Sequence, residues 1–313
     1  MRGITRREFL AECAAATASI SALPRIARAA IVSQPAITFP SAPRHRVAIA
    51  SYPFREFIAG AEHKSGNPTI ELRDFAAHVV EKFQVYHIEP WSAHFPSTEA
   101  KYLAEFRQAV AQAHAGVVNI AVDGESSPYA ADGSKREAAI AFGRQWIDVA
   151  VAIGSPSVRT NIPQARDAKP DADRLAESLR RVVDYASMKN VVVHLENDNP
   201  VSEDPFFLVQ VVEKVNSPWL HTLPDFGNTL NVHDEDYAYR AIDAMFEHAY
   251  GICHVKNGEV NKQGKATHVD LARTFGILKR SGYKGYCSIE YDAPGDPYKA
   301  TAELVEGTVQ YLS

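Results

Sequence analysis

The stretch "VVVHLENDN", Val191 to Asn199, decides the reading of this chain. It opens as an apolar β-branched run, the composition of a strand covered on both faces in a parallel sheet. Side chains alternate along a strand, so His194 and Glu196 share one face while Leu195 takes the other. A carboxylate closing a buried strand is costly unless something compensates its charge. The residues that end the neighbouring strands therefore decide what Glu196 is for.

Seven further runs resemble it in length and composition: 47–52, 85–91, 116–122, 156–161, 220–226, 251–256 and 286–291. Between them lie stretches of helical periodicity at 70–83, 99–114, 135–153, 172–188, 205–215, 234–248 and 268–282, with a last helix near 297–312. Eight strand-helix pairs, at about thirty residues each, predict an α/β fold in which a parallel (β/α)8 TIM barrel is ringed by helices. A doubly wound open sheet is the runner-up, but no G-x-G-x-x-G follows the first strand. The chain has 313 residues and 46% hydrophobic content, enough for one barrel domain over 46–313.

The N-terminus, "MRGITRREFLAECAAATASISALPRIARAA", has a basic start, the pair Arg6-Arg7 before an Ala-rich run, and Ala27-Arg28-Ala29 as a cleavage site. The pattern resembles a twin-arginine export signal over residues 1–29, and the expectation is an exported, periplasmic or extracellular protein. Residues 30–45, rich in Pro and Ser, read as a tether. Losing residues 1–29 removes five basic and two acidic residues, moving the formal charge from -5 to -8. An acidic chain with no Lys/Arg cluster disfavours nucleic acid as a partner, and no later apolar run has the length of a membrane span. Cys253 and Cys287, the remaining cysteines, are expected as buried free thiols, because this route exports proteins folded in a reducing cytoplasm.

In a TIM barrel, ligands bind at the C-terminal ends of the strands. Four consecutive strands bring Glu196, Asp225, His254 and Glu290 to that rim, at intervals of 29, 29 and 36 residues. Singly, each has an ordinary use as a helix cap, a salt-bridge partner or a packed core group. Together, the carboxylates would repel one another unless a cation sits between them. Three carboxylates and one imidazole suit a divalent metal, Mn²⁺ or Mg²⁺ first and Co²⁺ or Zn²⁺ next. The cysteines fall on the alternate face. Other rim candidates for substrate binding are Tyr52 and Phe54, then Glu89, Trp91 and His94, then Arg159 and Asn161, with Asn228 after the sixth strand. His194 is a candidate second group behind Glu196, while His221 and His233 have no assignment.

The motifs "VVVHLENDN", "PDFGN", "CHVKNG" and "GYKGYCSIEYDAPGDP", in this order, resemble those of the sugar isomerase/epimerase family of xylose-isomerase-like barrels, over most of residues 46–312. The resemblance implies that Glu196, Asp225, His254 and Glu290 hold the metal and that Glu196 and Glu290 remove and return a proton. Asn228 and Val260 stand where several family epimerases carry a His and an Arg, which points away from simple ketohexose 3-epimerisation, and Lys256 is the candidate for a replacement positive donor. The expected function is a metal-dependent isomerase or epimerase of an unphosphorylated sugar. The alternatives are a lyase or dehydratase acting on a keto-sugar or 3-keto-glycoside, and a non-catalytic carbohydrate-binding barrel. The family's abasic-site nucleases use extra His ligands not evident here. Homo-oligomerisation is left open.

Overall fold

A computed structural model describes residues 34–60, 69–260, 264 and 266–313, all within one compact unit. The expected export signal at 1–29 and the first residues of the expected tether lie outside the described residues. Among the described residues there are eleven short strands: β1 Val47–Ala50, β2 His87–Glu89, β3 Gly116–Val117, β4 Ala121–Val122, β5 Ser157–Thr160, β6 Val192–Glu196, β7 Leu220–Leu223, β8 Ile252–Val255, β9 Gly258–Val260, β10 Ala266–His268 and β11 Tyr286–Ile289. The helices are α1 Phe75–Phe83, α2 Ala100–Gln112, α3 Gly133–Ile153, α4 Ala172–Lys189, α5 Pro205–Val215, α6 Glu235–Phe246, α7 Leu271–Arg280 and α8 Pro297–Leu312.

Two parallel sheets, ordered β3-β2-β1-β11-β8 and β4-β5-β6-β7, make the eight staves, with β3 and β4 as two halves of the third. Isolated parallel bridges close the ring, Trp91 to Ala121 at one seam, and Thr222 to Ala249 and Asp225 to His254 at the other. The fold is the expected (β/α)8 barrel. The antiparallel β9–β10 hairpin was not expected; it rises from the rim after β8, and Glu259 on it bridges to Asp292.

Strand alternation sorts the two faces. Val47, Ile49, Val193, Leu195, Cys253, Val255, Cys287 and Ile289 join the core between staves and helices, whereas Ala48, Val118, Leu223, Ile252 and Tyr286 form a second cluster. Cys253 and Cys287 are register partners, buried as free thiols with their Sγ atoms 3.8 Å apart. The described part of the expected tether is laid against the protein. Phe39 packs on the second cluster, edge-on to Tyr250 and Tyr286, and the Ala36 amide donates to Asn190 Oδ1.

Local sequence explains the helix ends. Aspartates at 132, 171, 204, 234, 270 and 296 cap α3 to α8, each accepting from amides of the first turn. Proline at the first position of α5 and α8 starts the turn with no amide to satisfy. Leu72–Asp74 form a separate 3₁₀ turn, so the first helix begins at Phe75 and not at residue 70. Among the described residues, no helix is long and apolar enough to cross a membrane.

Asp204 also accepts the hydroxyl of Tyr237 on the next helix. Asp204→Ala is therefore expected to lower unfolding stability by about 1–2 kcal/mol, read as a lower urea midpoint at unchanged slope. An unaltered midpoint would show that the cap contributes nothing.

Candidate metal centre

The rim gathers an unusual set of buried charges. Glu196 closes β6, His254 is in β8, Glu290 follows β11, and Asp225 sits just past β7 in the chain turn that bridges to His254. All four are buried, and each offers one ligand atom within 4.8 Å of the other three. Among the described residues no other group of three or more His, Cys, Asp or Glu side chains converges in this way.

His254 lies at the middle. Its Nδ1 is 2.7 Å from Glu196 Oε1, 3.2 Å from Glu290 Oε2 and 3.9 Å from Asp225 Oδ2. Burial opposes a charge on this ring, but Glu196, Glu290 and Glu89 outweigh burial and raise its pKa well above the usual imidazole range. Burial likewise opposes ionisation of Glu290, yet His254 and Lys256 hold its pKa far below the carboxylate range. Asp225 moves the other way: burial dominates and pushes it up to about 6, against the pull of Lys256.

The basic partners leave a deficit. Arg159 Nε lies 2.8 Å from Glu196 Oε2 but is not aimed at it, and both atoms remain without a hydrogen bond. Asp225 Oδ2 is also a buried acceptor without a donor, 3.5 Å from Lys256 Nζ. Buried carboxylate oxygens without a hydrogen-bond donor, in a cluster of three acids and an imidazole, suit a cation as their partner. The donor set therefore fits a hard or borderline divalent ion, with Glu196, Asp225, His254 and Glu290 as its holders and no thiolate among them.

The neighbours fix these side chains. Glu89 Oε2 is 3.0 Å from His254 Nε2, and its Oε1 accepts from Asn119 Nδ2 at 2.7 Å. Asn119 Oδ1 in turn accepts from Ser157 Oγ at 2.6 Å. That chain holds the imidazole by its far nitrogen and leaves Nδ1 facing the carboxylates, the way a carboxylate orients a metal-binding histidine. Asn197 clamps the backbone of Asp225, accepting from its amide at 2.8 Å and donating to its carbonyl at 3.1 Å and to Thr229 Oγ1 at 2.9 Å. Asp225 Oδ1 accepts the amides of Gly227 and Asn228, which aims Oδ2 at the cluster.

Above the cluster opens a cavity of about 250 Å³. Of the residues expected there, Tyr52, Trp91, Arg159, Asn228 and Lys256 line it together with Glu196 and Glu290. Lys256 Nζ donates to Asn228 Oδ1 at 2.9 Å and lies 3.2 Å from Glu290. Trp91 meets Tyr52 edge-on and donates its indole N–H to Asp123.

Five expected residues are elsewhere. Glu89 is fully buried behind His254, its oxygens already used, so it is a positioning residue and not a sugar contact. His94 is buried with Nδ1 on Ser51 Oγ, and burial lowers its pKa to about 4. Phe54 packs among Phe75, Phe83 and Tyr298. Asn161 spends its amide on the backbone of Gly124 and faces a second cavity. His194, expected behind Glu196, instead accepts from the Gly251 amide, where a Cβ would come within 2.7 Å of the ring. Asp123, Asp198, Glu259 and Asp292 line the cavity and were not expected. Nor were the clamps Asn119 and Asn197; Asn197 stood in the quoted "LEN" with only its neighbour given a role.

Asn197→Ala and Glu89→Ala are each expected to weaken Mn²⁺ binding by about 10- to 100-fold while the circular dichroism spectrum is retained. Titration calorimetry giving wild-type affinity for both would deny these residues their positioning role.

Comparison with known proteins fits this architecture. No curated protein matches the sequence. A Xylose isomerase-like TIM barrel protein from Mycobacterium smegmatis, solved in complex with magnesium, is 19% identical, with a TM-score of 0.66 over 88% of this chain and 97% of that one. D-allulose 3-epimerase from Methylomonas sp. is 15% identical, with a TM-score of 0.67 over 88% of this chain and 100% of that one. 3-Keto-D-glucoside 4-epimerase from E. coli is 12% identical, with a TM-score of 0.62 over 85% and 99%. At these identities the likeness is one of fold. The family described as Xylose isomerase-like TIM barrel matches residues 76–308, most of the chain, and the protein belongs to that family.

Proposed function

We propose that this protein is a divalent-metal-dependent isomerase or epimerase of an unphosphorylated sugar, working by removal and return of the proton next to a carbonyl. The observation that carries the reading is the convergence of Glu196, Asp225, His254 and Glu290 with orphaned oxygens beneath an aromatic-walled cavity. A bound divalent ion would polarise the sugar carbonyl and acidify the adjoining C–H. The solved epimerases of the same fold act on sugars by their names, which supports the substrate class.

The chain's own residues divide the remaining work. Glu290, 3.2 Å from Lys256 Nζ, is the base, while Glu196 stands three staves away around the ring as its partner. Lys256, tethered by Asn228, is placed to donate to oxygen as negative charge develops. Tyr52 and Trp91 offer aromatic surface to sugar C–H groups. A phosphate would find both lining cations, Arg159 and Lys256, already engaged with acids, and the carboxylates of Asp123 and Asp292 opposing it. This supports an unphosphorylated substrate, in keeping with export by the twin-arginine route, which is part of the same proposal.

Elimination from a keto-sugar or 3-keto-glycoside is a second reading of the same proton removal, and Glu259 favours it. Burial, opposed by Lys256, pushes its pKa up to about 8, so a neutral carboxyl overhangs the cavity, able to protonate a leaving oxygen.

Incubation with Mn²⁺ and keto-sugars in D₂O separates the readings. A product of unchanged covalent skeleton carrying deuterium at the exchanged carbon is expected; loss of water or of an aglycone would indicate the lyase. Bound metal with no exchange across the sugars would reject catalysis and leave a carbohydrate-binding barrel. Glu290→Gln is expected to abolish turnover and weaken Mn²⁺ binding without unfolding the barrel, and a variant with undiminished rate would remove Glu290 from its assigned role.

A further inference from the structure

The catalytic cavity is not the largest space near the rim. Beside it lies a second cavity of about 380 Å³, bounded by the chain after β4, the end of β5 and the facing sides of α3 and α4. Asp123 lines both. Its carboxylate accepts from the Trp91 indole and pairs with Arg159, so the shared wall is anchored to the sugar side.

The two cavities differ in chemistry. The catalytic one is ringed by charge. The second has one apolar side, made by Ile140, Phe142, Leu179, Val182 and Pro128, and a polar edge of Glu125, Ser126, Thr160 and Asn161 on the strand-end side. There the loop passes close to an aromatic ring: a Cβ at Gly124 would fall 3.0 Å from two ring carbons of Phe142. Asn161 ties that loop by bonding both the amide and the carbonyl of Gly124. A slot with an apolar side thus lies beside a polar cavity of about 250 Å³, which suits a single sugar ring.

We infer that this second cavity is a subsite for the apolar, aromatic aglycone of a glycoside whose sugar ring occupies the catalytic cavity. The inference rests on the sugar-acting reading above and names its substrate class: a keto-glycoside, whose ring carries the carbonyl while its anomeric carbon carries the aglycone, not a free monosaccharide. The volume suffices, since a dry apolar cavity of about 150 Å³ holds benzene. A sugar is bound by hydrogen bonds and the metal centre's surroundings, whereas burial of the ring in the second cavity adds affinity without touching the reacting atoms.

The test uses the Mn²⁺-loaded full chain with methyl and phenyl glucopyranosides, both anomers, which carry no carbonyl and stay intact. Calorimetry is expected to give the phenyl glycoside at least about tenfold tighter binding than the methyl. Saturation-transfer NMR should place the phenyl protons against protein. Ala139→Phe, on the half-buried lining of α3, fills the slot and is expected to erase the preference while methyl glycoside affinity is unchanged. Equal affinities in the wild type, or a preference that survives Ala139→Phe, would overturn the subsite while the sugar reading stands. If neither glycoside binds, the subsite is overturned, while the sugar reading is decided separately by the keto-sugar exchange in D₂O.

Discussion

Three carboxylates and an imidazole share one buried site, and their mutual repulsion is the constraint to which the rest of this molecule answers. In water such charges would be solvated separately; inside a barrel rim each loses hydration and gains like-charged neighbours. The chain answers partly with its own cations. His254 is driven to hold its proton among Glu196, Glu290 and Glu89, and Lys256 bridges Asp225, Glu259 and Glu290. Two carboxylate oxygens still lack donors, and that remainder is the physical case for a divalent ion.

Holding such groups in place requires structure that does no chemistry itself. The relay from Ser157 through Asn119 and Glu89 to His254 crosses the barrel interior from the fourth stave, by way of the broken third and the second, to the seventh. Asn197 reaches from the end of β6 to lock the turn that carries Asp225. These neutral amides are satisfied at each end, so they confer direction without adding charge to a site that already has too much. The outward face of the strands packs on the helices, while the inner face carries the small apolar cluster of Ala48, Val118, Leu223, Ile252 and Tyr286 before it gives way to this polar column.

Much of this was legible in the sequence, because strand alternation is a strict rule. Reading "VVVHLE" with a period of two put Glu196 on the ligand face, and the same rule kept Cys253 and Cys287 out of the cluster. Depth was harder to read. Glu89 ends strand two, and His94 and Phe54 follow strands two and one as Trp91 and Tyr52 do, yet all three lie in the protein interior while Trp91 and Tyr52 reach the cavity. No periodicity distinguishes these cases, since loop conformation after the strand decides them. The β9–β10 hairpin, short and only moderately apolar, carries Glu259 over the site and escaped pattern reading for the same reason. His194 shows the remaining difficulty: residues on one face of a strand occupy successive levels of the barrel, and the level below Glu196 is closed by Gly251.

The most direct test of the account is anomalous diffraction from crystals of the protein soaked in Mn²⁺. The account predicts one strong peak within roughly 2.0–2.6 Å of oxygens of Glu196, Asp225 and Glu290 and of His254 Nδ1. Full occupancy of manganese at any other place, with His254 Nδ1 still bonded to Glu196 and no peak among the four residues, would contradict it.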